Sequence, residues 1–364
     1  MEIPVEKNKE YIVEIIDNGF EGEGIAKIDN FTIFIPGTIK GEKVRVLIVK
    51  VLSSHGFGKI VEIIEKSQAR QDVDCNTYKR CGGCNLRHVK YEETLKMKQN
   101  AVQSLVNKTL KNKIQVKPTL QVRETVGMEN PLHYRNKAQY PIGINKQGEP
   151  VIGVFANRTH EVIPIDNCLI QNKKSEEIAK FIIEFIKEKN ISIYDEKTGK
   201  GLVRHIVTKV GIKTGEIMCV IVINGHKIPN ENELVENLKT KYPEIKAIVK
   251  NINMKNTNVI LGQENINLYG NGYIEDILGE YKFKISPLSF YQVNPVQAEK
   301  LYDLGVSMAE ITKNDIVFDL YCGIGTISLF MSKFAKKVYG IEIVEEAVKM
   351  AKENAQNNNV SNTE

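Results

Sequence analysis

The sequence predicts a multidomain protein in three parts. These are an OB-like β barrel, an α+β centre with a cysteine-held metal centre, and the first part of an α/β Rossmann-like domain. Three observations predict it. Residues 1–66 alternate short β patterns with glycine turns. Three cysteines crowd together as Cys75-x5-Cys81-Gly82-Gly83-Cys84. Near the end, Val317-Phe318-Asp319-Leu320-Tyr321-Cys322-Gly323-Ile324-Gly325-Thr326 reads as strand, tight turn and helix start.

The totals bound the answer. The chain has 364 residues, enough for two or three domains, with 42% apolar and 26% charged residues. No apolar stretch reaches membrane-spanning length. The start, Met-Glu-Ile-Pro-Val-Glu-Lys, has neither the basic nor the apolar region of a signal peptide. A cytoplasmic location with reduced thiols is expected. The net charge of +5 permits a nucleic-acid partner without requiring one.

In the first part, Tyr11–Ile16, Phe31–Ile35, Lys43–Val49 and Gly58–Ile64 carry strand patterns, with Gly19, Gly22, Gly24 and Pro36-Gly37 between them. Short strands at this spacing suggest a small closed barrel. Such barrels bind single-stranded nucleic acid through one face and its loops.

The cysteine run comes next. Clustered cysteines in a reducing compartment point to a metal centre rather than a disulfide. A fourth ligand is needed. Cys168, in the polar turn Ile165-Asp166-Asn167-Cys168, suits it better than Cys219 in an apolar run or Cys322 in the glycine turn. Four thiolates fit tetrahedral zinc or an iron–sulfur cluster. A single Cys-x2-Cys knuckle favours iron–sulfur, and the x5 gap argues against a radical-type cluster.

Lys79, Arg80, Arg87, Lys90, Lys96, Lys98, Lys108, Lys111 and Lys113 then form a basic stretch, helical from Tyr91 to Leu110, that could track phosphates. The middle, to about residue 280, is β-rich with helices at Lys174–Glu188 and Glu231–Thr240, the second with Asn230 placed to cap it. His133-Tyr134-Arg135-Asn136-Lys137 and Arg204-His205 mix cations and aromatics of the kind that contact RNA, although on these residues alone a strand with a wet face is the favoured reading.

The last part opens with Ser-Phe-Tyr-Gln-Val-Asn-Pro at 289–295, before a helix from Val296 to Glu310. A dinucleotide site would place a third glycine at 328, where Ser328 stands, and the Lys-Ser/Thr pair of a phosphate-binding loop is missing. An acid before the turn suits a ligand with a cationic amino-acid end, such as S-adenosylmethionine. Glu342, at the tip of the next strand, is spaced to accept from ribose hydroxyls.

The barrel, the cysteine set, Tyr-Arg-Asn-Lys-Ala-Gln, Ser-Phe-Tyr-Gln-Val-Asn-Pro and Asp-Leu-Tyr-Cys-Gly-Ile-Gly-Thr occur here in one order. In this the chain closely resembles the RNA uridine-5-methyltransferase family, particularly its 23S ribosomal RNA branch. The resemblance implies a TRAM domain over 1–66, a central RNA-binding domain with the cluster loop over 67–280, and the N-terminal part of a methyltransferase domain over 281–364. It implies that Gln292, Tyr321 and Glu342 bind S-adenosylmethionine. It implies that Cys75, Cys81, Cys84 and Cys168 hold a [4Fe–4S] cluster, and that the partner is RNA, with 23S ribosomal RNA foremost.

In that family a cysteine thiolate adds to C6 of uracil so that C5 can attack the methyl sulfonium, and a glutamate removes the C5 proton. The family places both groups in segments that follow an Asp-Pro-Pro-Arg-like loop. Neither segment occurs among the 364 residues, so no catalytic residue is assigned here, Cys322 included. The expectation is a truncated copy, with nucleophile and base beyond Glu364, that cannot complete methyl transfer alone. A non-catalytic RNA-binding iron–sulfur protein is the runner-up, and a tRNA uracil-C5 methyltransferase is a weaker alternative.

Overall fold

The computed structural model describes residues 3–111, 120–156 and 159–364. Of the basic stretch, Lys113 and the side chain of Lys111 lie outside the described residues. The chain divides into two compact units, the first ending at Glu129 and the second running from Asn130 to Glu364.

The first unit contains β1 (Glu10–Glu14), β2 (Asp17–Asn18), β3 (Gly24–Ile28), β4 (Phe31–Ile35), β5 (Lys43–Val51) and β6 (His55–Glu65). They form one sheet in the order β1-β5-β6-β4-β3-β2. β1 and β2 are two ends of one bent stretch. Between them Ile15 N–H donates to the Glu42 carbonyl and Ile16 N–H to the Ile25 carbonyl, each at 2.8 Å. That stretch therefore bonds toward β5 at one end and β3 at the other, which closes the sheet into a barrel.

Alternation fills the barrel. Val44, Val46 and Ile48 of β5 point inward with Val13, Ile15, Ala26, Ile33 and Ile35, while Lys43 and Arg45 face water. The sequence pattern located four of the strands. It missed β2 and β3, which are short and broken by glycines. Gly24 in β3 is required there, since a Cβ would stand 1.8 Å from Thr38 Oγ1. Below the barrel core, Glu42 is fully buried. It accepts from Ile39 N–H at 2.9 Å and from Arg70 Nη2 at 2.8 Å, and Arg70 also donates to the Gly37 carbonyl at 2.7 Å.

α1 (Tyr91–Lys111) follows, and residues 120–128 lie along it. Gln103 gives and takes hydrogen bonds at 2.8 Å with Leu120 O and Val122 N–H, and Tyr91 OH accepts from Met128 N–H at 2.7 Å.

The second unit is built on β7 (Lys137–Ile144), β8 (Pro150–Phe155), β9 (Val162–Pro164), α2 (Lys173–Glu188), β10 (Val203–Val210), β11 (Ile217–Ile223), α3 (Glu231–Lys241), β12 (Ile245–Ile252) and β13 (Glu264–Tyr269). The sheet order is β13-β12-β11-β10-β7-β8-β9, with only β11 and β12 parallel. α2 and α3 cover one face through Ile178, Ile182, Ile186, Leu234 and Leu238. On the other face Val207, Met218, Val220, Val222, Ala247 and Val249 pack with β14 (Ile274–Leu278), β15 (Tyr281–Ile285), α4 (Pro295–Met308) and the elements after it.

Covering both faces explains the unbroken apolar run of β11. It also corrects two expectations. β10 has no wet face: all eight of its residues are buried, Arg204 and His205 with them. Asn230 makes no side-chain cap bond to α3. It sits in the left-handed region at φ 57° and donates to Glu233 Oε2 at 3.3 Å instead.

The chain ends in β16 (Ile316–Asp319), α5 (Thr326–Ser332), β17 (Lys337–Gly340) and α6 (Glu345–Asn357), with β16 parallel to β17. After α6 the backbone returns beside β17. Val338 N–H donates to Asn362 O at 2.9 Å, Glu364 N–H to Val338 O at 2.9 Å and Gly340 N–H to Glu364 O at 2.8 Å. The segment at 361–364 thus lies parallel to β17 as β16 does, although Ser361-Asn362-Thr363-Glu364 carries no apolar pattern. Among the described residues no helix is long and apolar enough to cross a membrane.

Candidate functional site: a carboxylate-pinned glycine turn

The turn from β16 to α5 is shaped by two glycines and one acid. Gly323 and Gly325 adopt φ of 54° and 83°, a region costly for residues with a Cβ. Gly325 occupies the N-cap position of α5. Glu342 reaches across from the end of β17. Its Oε2 accepts from Gly323 N–H at 3.1 Å, and its Oε1 from Ile343 N–H at 2.8 Å and Val344 N–H at 2.9 Å. These N–H groups, Val344's foremost, hold its carboxyl below the usual glutamate range.

Asp319, at the tip of β16, accepts from Ser328 Oγ at 2.7 Å. Ser328 therefore ties strand to helix at the place where a dinucleotide fold has its third glycine. Gly340 is needed for close approach, as its Cβ would come 2.9 Å from Cys322 Sγ. Tyr321 stands 90% exposed beside the turn. The Cys322 thiol is pushed up to about 11 by burial and by the Asp319 and Glu342 charges, so it is a poor nucleophile near neutral pH. Gly325→Ala is expected to destabilise the protein by about 1–2 kcal/mol through the left-handed backbone alone, read as a lower melting temperature.

The segment before α4 is tied to the same region by α6. Ser289 Oγ donates to Met350 Sδ at 3.1 Å, and Asn354 Nδ2 donates to the Ile324 carbonyl at 3.0 Å. A Cβ on Gly325 would meet Ala351 at 3.3 Å. One helix thus contacts both the Ser289 turn and the glycine turn. Gln292, half-buried, lies three residues on, and its carbonyl accepts from Asn136 Nδ2 at 3.0 Å. Tyr321 and Glu342 are brought to one turn, and Gln292 to the loop beside it.

Among the described residues no group of three or more His, Cys, Asp or Glu side chains is gathered to hold an ion. Local turns shape the loop: Tyr78 N–H donates to Cys75 O at 3.2 Å and Cys81 N–H to Thr77 O at 2.8 Å. Cys75 Sγ lies 3.4 Å from Thr77 Oγ1, and Gly83 N–H donates to Cys81 Sγ at 3.3 Å. Cys168 belongs to the second unit, where Glu176 pins its turn by accepting from Asn167 N–H at 2.7 Å and Cys168 N–H at 2.8 Å.

Arg204 and His205 are not phosphate ligands. The Arg204 guanidinium lies 4.2 Å from the Tyr194 ring centroid and donates to the Asn253 and Lys255 carbonyls at 2.9 and 2.8 Å. Burial, then the Arg204 charge, drops His205 to about 4, so it stays neutral at physiological pH.

The sequence reading missed a surface on the barrel. Phe34 of β4 and His55 and Phe57 of β6 form a half-buried ring cluster, with centroids 5.4 Å, 5.9 Å and 5.3 Å apart. Exposed Lys50 is the cross-strand partner of Phe57. The signal was there in His55-Gly56-Phe57-Gly58, where glycines alternate with rings and keep the inner side of the strand empty.

Comparison with known proteins agrees with this architecture. Residues 90–364 match the family described as tRNA (uracil-5-)-methyltransferase, and residues 4–61 match the TRAM domain. The chain is 49% identical over 362 residues to an uncharacterized RNA methyltransferase of Clostridium acetobutylicum, covering 100% of this chain and 78% of the relative. A second, of Clostridium tetani, is 46% identical over 363 residues, covering 100% of this chain and 77% of that one. Among solved structures, the tRNA (uracil-54, C5)-methyltransferase of Pyrococcus abyssi, in complex with S-adenosyl-L-homocysteine, shares the fold at a TM-score of 0.73 and 23% identity. The match covers 97% of this chain and 78% of that one. The chain belongs to the RNA methyltransferase family described as tRNA (uracil-5-)-methyltransferase, with a TRAM domain at its N-terminal end.

Proposed function

We propose that this chain binds S-adenosylmethionine and RNA for methylation of uracil at C5, with 23S ribosomal RNA as the substrate. The observation that carries the reading is the turn pinned by Glu342 in a chain whose residues 90–364 match the family. Bound S-adenosylmethionine would supply an electrophilic methyl group on a sulfonium. The chain's own residues hold and orient it. Gly323 and Gly325 open the backbone for close approach, and Glu342 offers its remaining acceptor capacity to ribose hydroxyls. Tyr321 presents a ring to the adenine, and Gln292 supports the site from its loop.

The division of labour follows the sequence: 1–66 and 67–280 grip RNA, and 281–364 holds the cofactor. The Phe34–His55–Phe57 cluster gives unpaired bases a place to stack, and Lys50 and the cations of α1 face phosphates. Replacing Phe34 or Phe57 by alanine is expected to weaken RNA binding about tenfold per ring, since one stacked base contributes roughly 1–3 kcal/mol. Fluorescence anisotropy with a labelled single strand checks it.

Cys75, Cys81, Cys84 and Cys168 remain the proposed ligands of a [4Fe–4S] cluster. Gly83 N–H donates to Cys81 Sγ, and Arg87 stands in the same loop. No chemical step depends on the cluster. Iron analysis and visible absorption of anaerobically purified protein test it.

The test of the substrate is a competition. Unmodified 23S ribosomal RNA fragments are expected to bind in preference to tRNA transcripts at matched salt. Preference for tRNA would replace the ribosomal reading with the tRNA one.

A further inference from the structure

Among the described residues no carboxylate pairs with the Lys209 ammonium. Lys209 is 4% exposed at the end of β10, and its Nζ donates to the Ser286 and Ser289 carbonyls, each at 2.8 Å. Its cross-strand partner on β7 is another lysine, Lys137. Burial, then the Lys137 charge, brings Lys209 down to about 7. A buried cation costs free energy unless something specific recovers it. Here the return is the fixing of a turn.

The rest of the segment is held in the same manner. Asn136, just before β7, donates its Nδ2 to Gln292 O and its backbone N–H to Val293 O, both at 3.0 Å. Tyr291 is buried between them and donates to Asp276 Oδ2 at 3.3 Å. Ser286 N–H donates to Ser289 Oγ at 3.0 Å, and Asn294 accepts from Gln297 N–H at 3.1 Å to start α4. The carbonyls of Ser286, Ser289, Gln292 and Val293 are thus all held from the central sheet, at the adjoining ends of β7 and β10.

We propose that Lys209, together with Asn136, is a positioning residue that clamps residues 286–294, so that the central sheet sets where Gln292 meets the methyl donor. The cofactor role of Gln292 rests on the function proposed above; the clamp itself does not. Without Lys209 the Ser289 carbonyl loses this donor and the Ser286 carbonyl keeps the Ser289 N–H at 3.3 Å, so the turn gains freedom although Tyr291 stays plugged in the core.

The experiment is hydrogen–deuterium exchange and S-adenosylhomocysteine titration on the 364-residue chain, comparing wild type, Lys209→Met and Asn136→Asp. Asn136→Asp puts a carboxylate against the Gln292 carbonyl at nearly constant size, which serves if Lys209→Met does not fold. Amides of 286–294 are expected to exchange at least about tenfold faster in either variant, since each takes a buried donor away from a carbonyl of the segment. β11 and β12 should remain protected, S-adenosylhomocysteine affinity should fall by a similar factor, and RNA affinity should not change. Wild-type exchange at 286–294 in a folded variant would overturn the clamp. Failure of wild type to bind S-adenosylhomocysteine would instead count against the cofactor site, and the exchange data would still decide the clamp.

Discussion

Glu342→Ala is expected to weaken S-adenosylhomocysteine binding about a hundredfold while leaving the fold intact. Two losses combine. Gly323 N–H loses the acceptor that fixes the turn, and the ligand loses a charged acceptor for its ribose hydroxyls. Hydrogen bonds to a charged partner contribute about 1.5–3 kcal/mol each, and each 1.4 kcal/mol is roughly tenfold in affinity. Glu342→Gln keeps the size and part of the accepting capacity, so a loss nearer tenfold is expected. Isothermal titration checks both, and a Glu342→Ala protein binding like wild type would refute the role. The pH dependence follows in sign. Because backbone N–H groups hold the carboxyl below its ordinary 4.5, the charged form persists as pH falls through that value. Affinity should therefore fall only in more acidic solution.

Glu42→Gln is expected to destabilise the barrel by about 1–3 kcal/mol, because the half-buried Arg70 guanidinium loses its charged partner and its charge-assisted hydrogen bonds. Burial raises the Glu42 carboxyl, but the Arg70 bond, the Ile39 N–H and the Arg70 charge outweigh it, and the net shift is downward. A depressed carboxyl stabilises the fold above its unfolded value and loses that contribution as pH falls through the folded one. Wild-type barrel stability should decline at acid pH, and Glu42→Gln should decline less. Urea titrations read by hydrogen exchange in β4 and β5 measure both effects. A variant as stable as wild type would show that the pair contributes little.

What the sequence made legible was whatever has a local period. The glycine turn, the strand ending at Asp319 and the helices after Lys173 and Pro295 stand where the pattern put them, within a residue or two. Glu342 was recognisable as an acid at the tip of the second strand. Its bond to Gly323 was not, since that contact joins positions set together only by the parallel pairing of β16 and β17. Arg204 and His205 looked like surface cations because polarity alone does not reveal that a second layer covers β10. The same blindness hid Lys209, whose carbonyl partners lie far along the chain. Two rings of the Phe34–His55–Phe57 cluster were marked locally by His55-Gly56-Phe57-Gly58, but Phe34 joins them only through the parallel pairing of β4 with β6. The cysteines were conspicuous because three of them stand within ten residues of the chain.

The central claim is that the turn at 321–325 and Glu342 form the methyl-donor site. Mapping backbone amide shifts of the labelled 364-residue chain during S-adenosylhomocysteine titration tests it most directly. The account predicts saturable shifts at Gly323, Gly325, Ile343 and Val344, with smaller ones at Gln292 and none in the barrel. Saturable binding that moved other amides and left those four unchanged would contradict it.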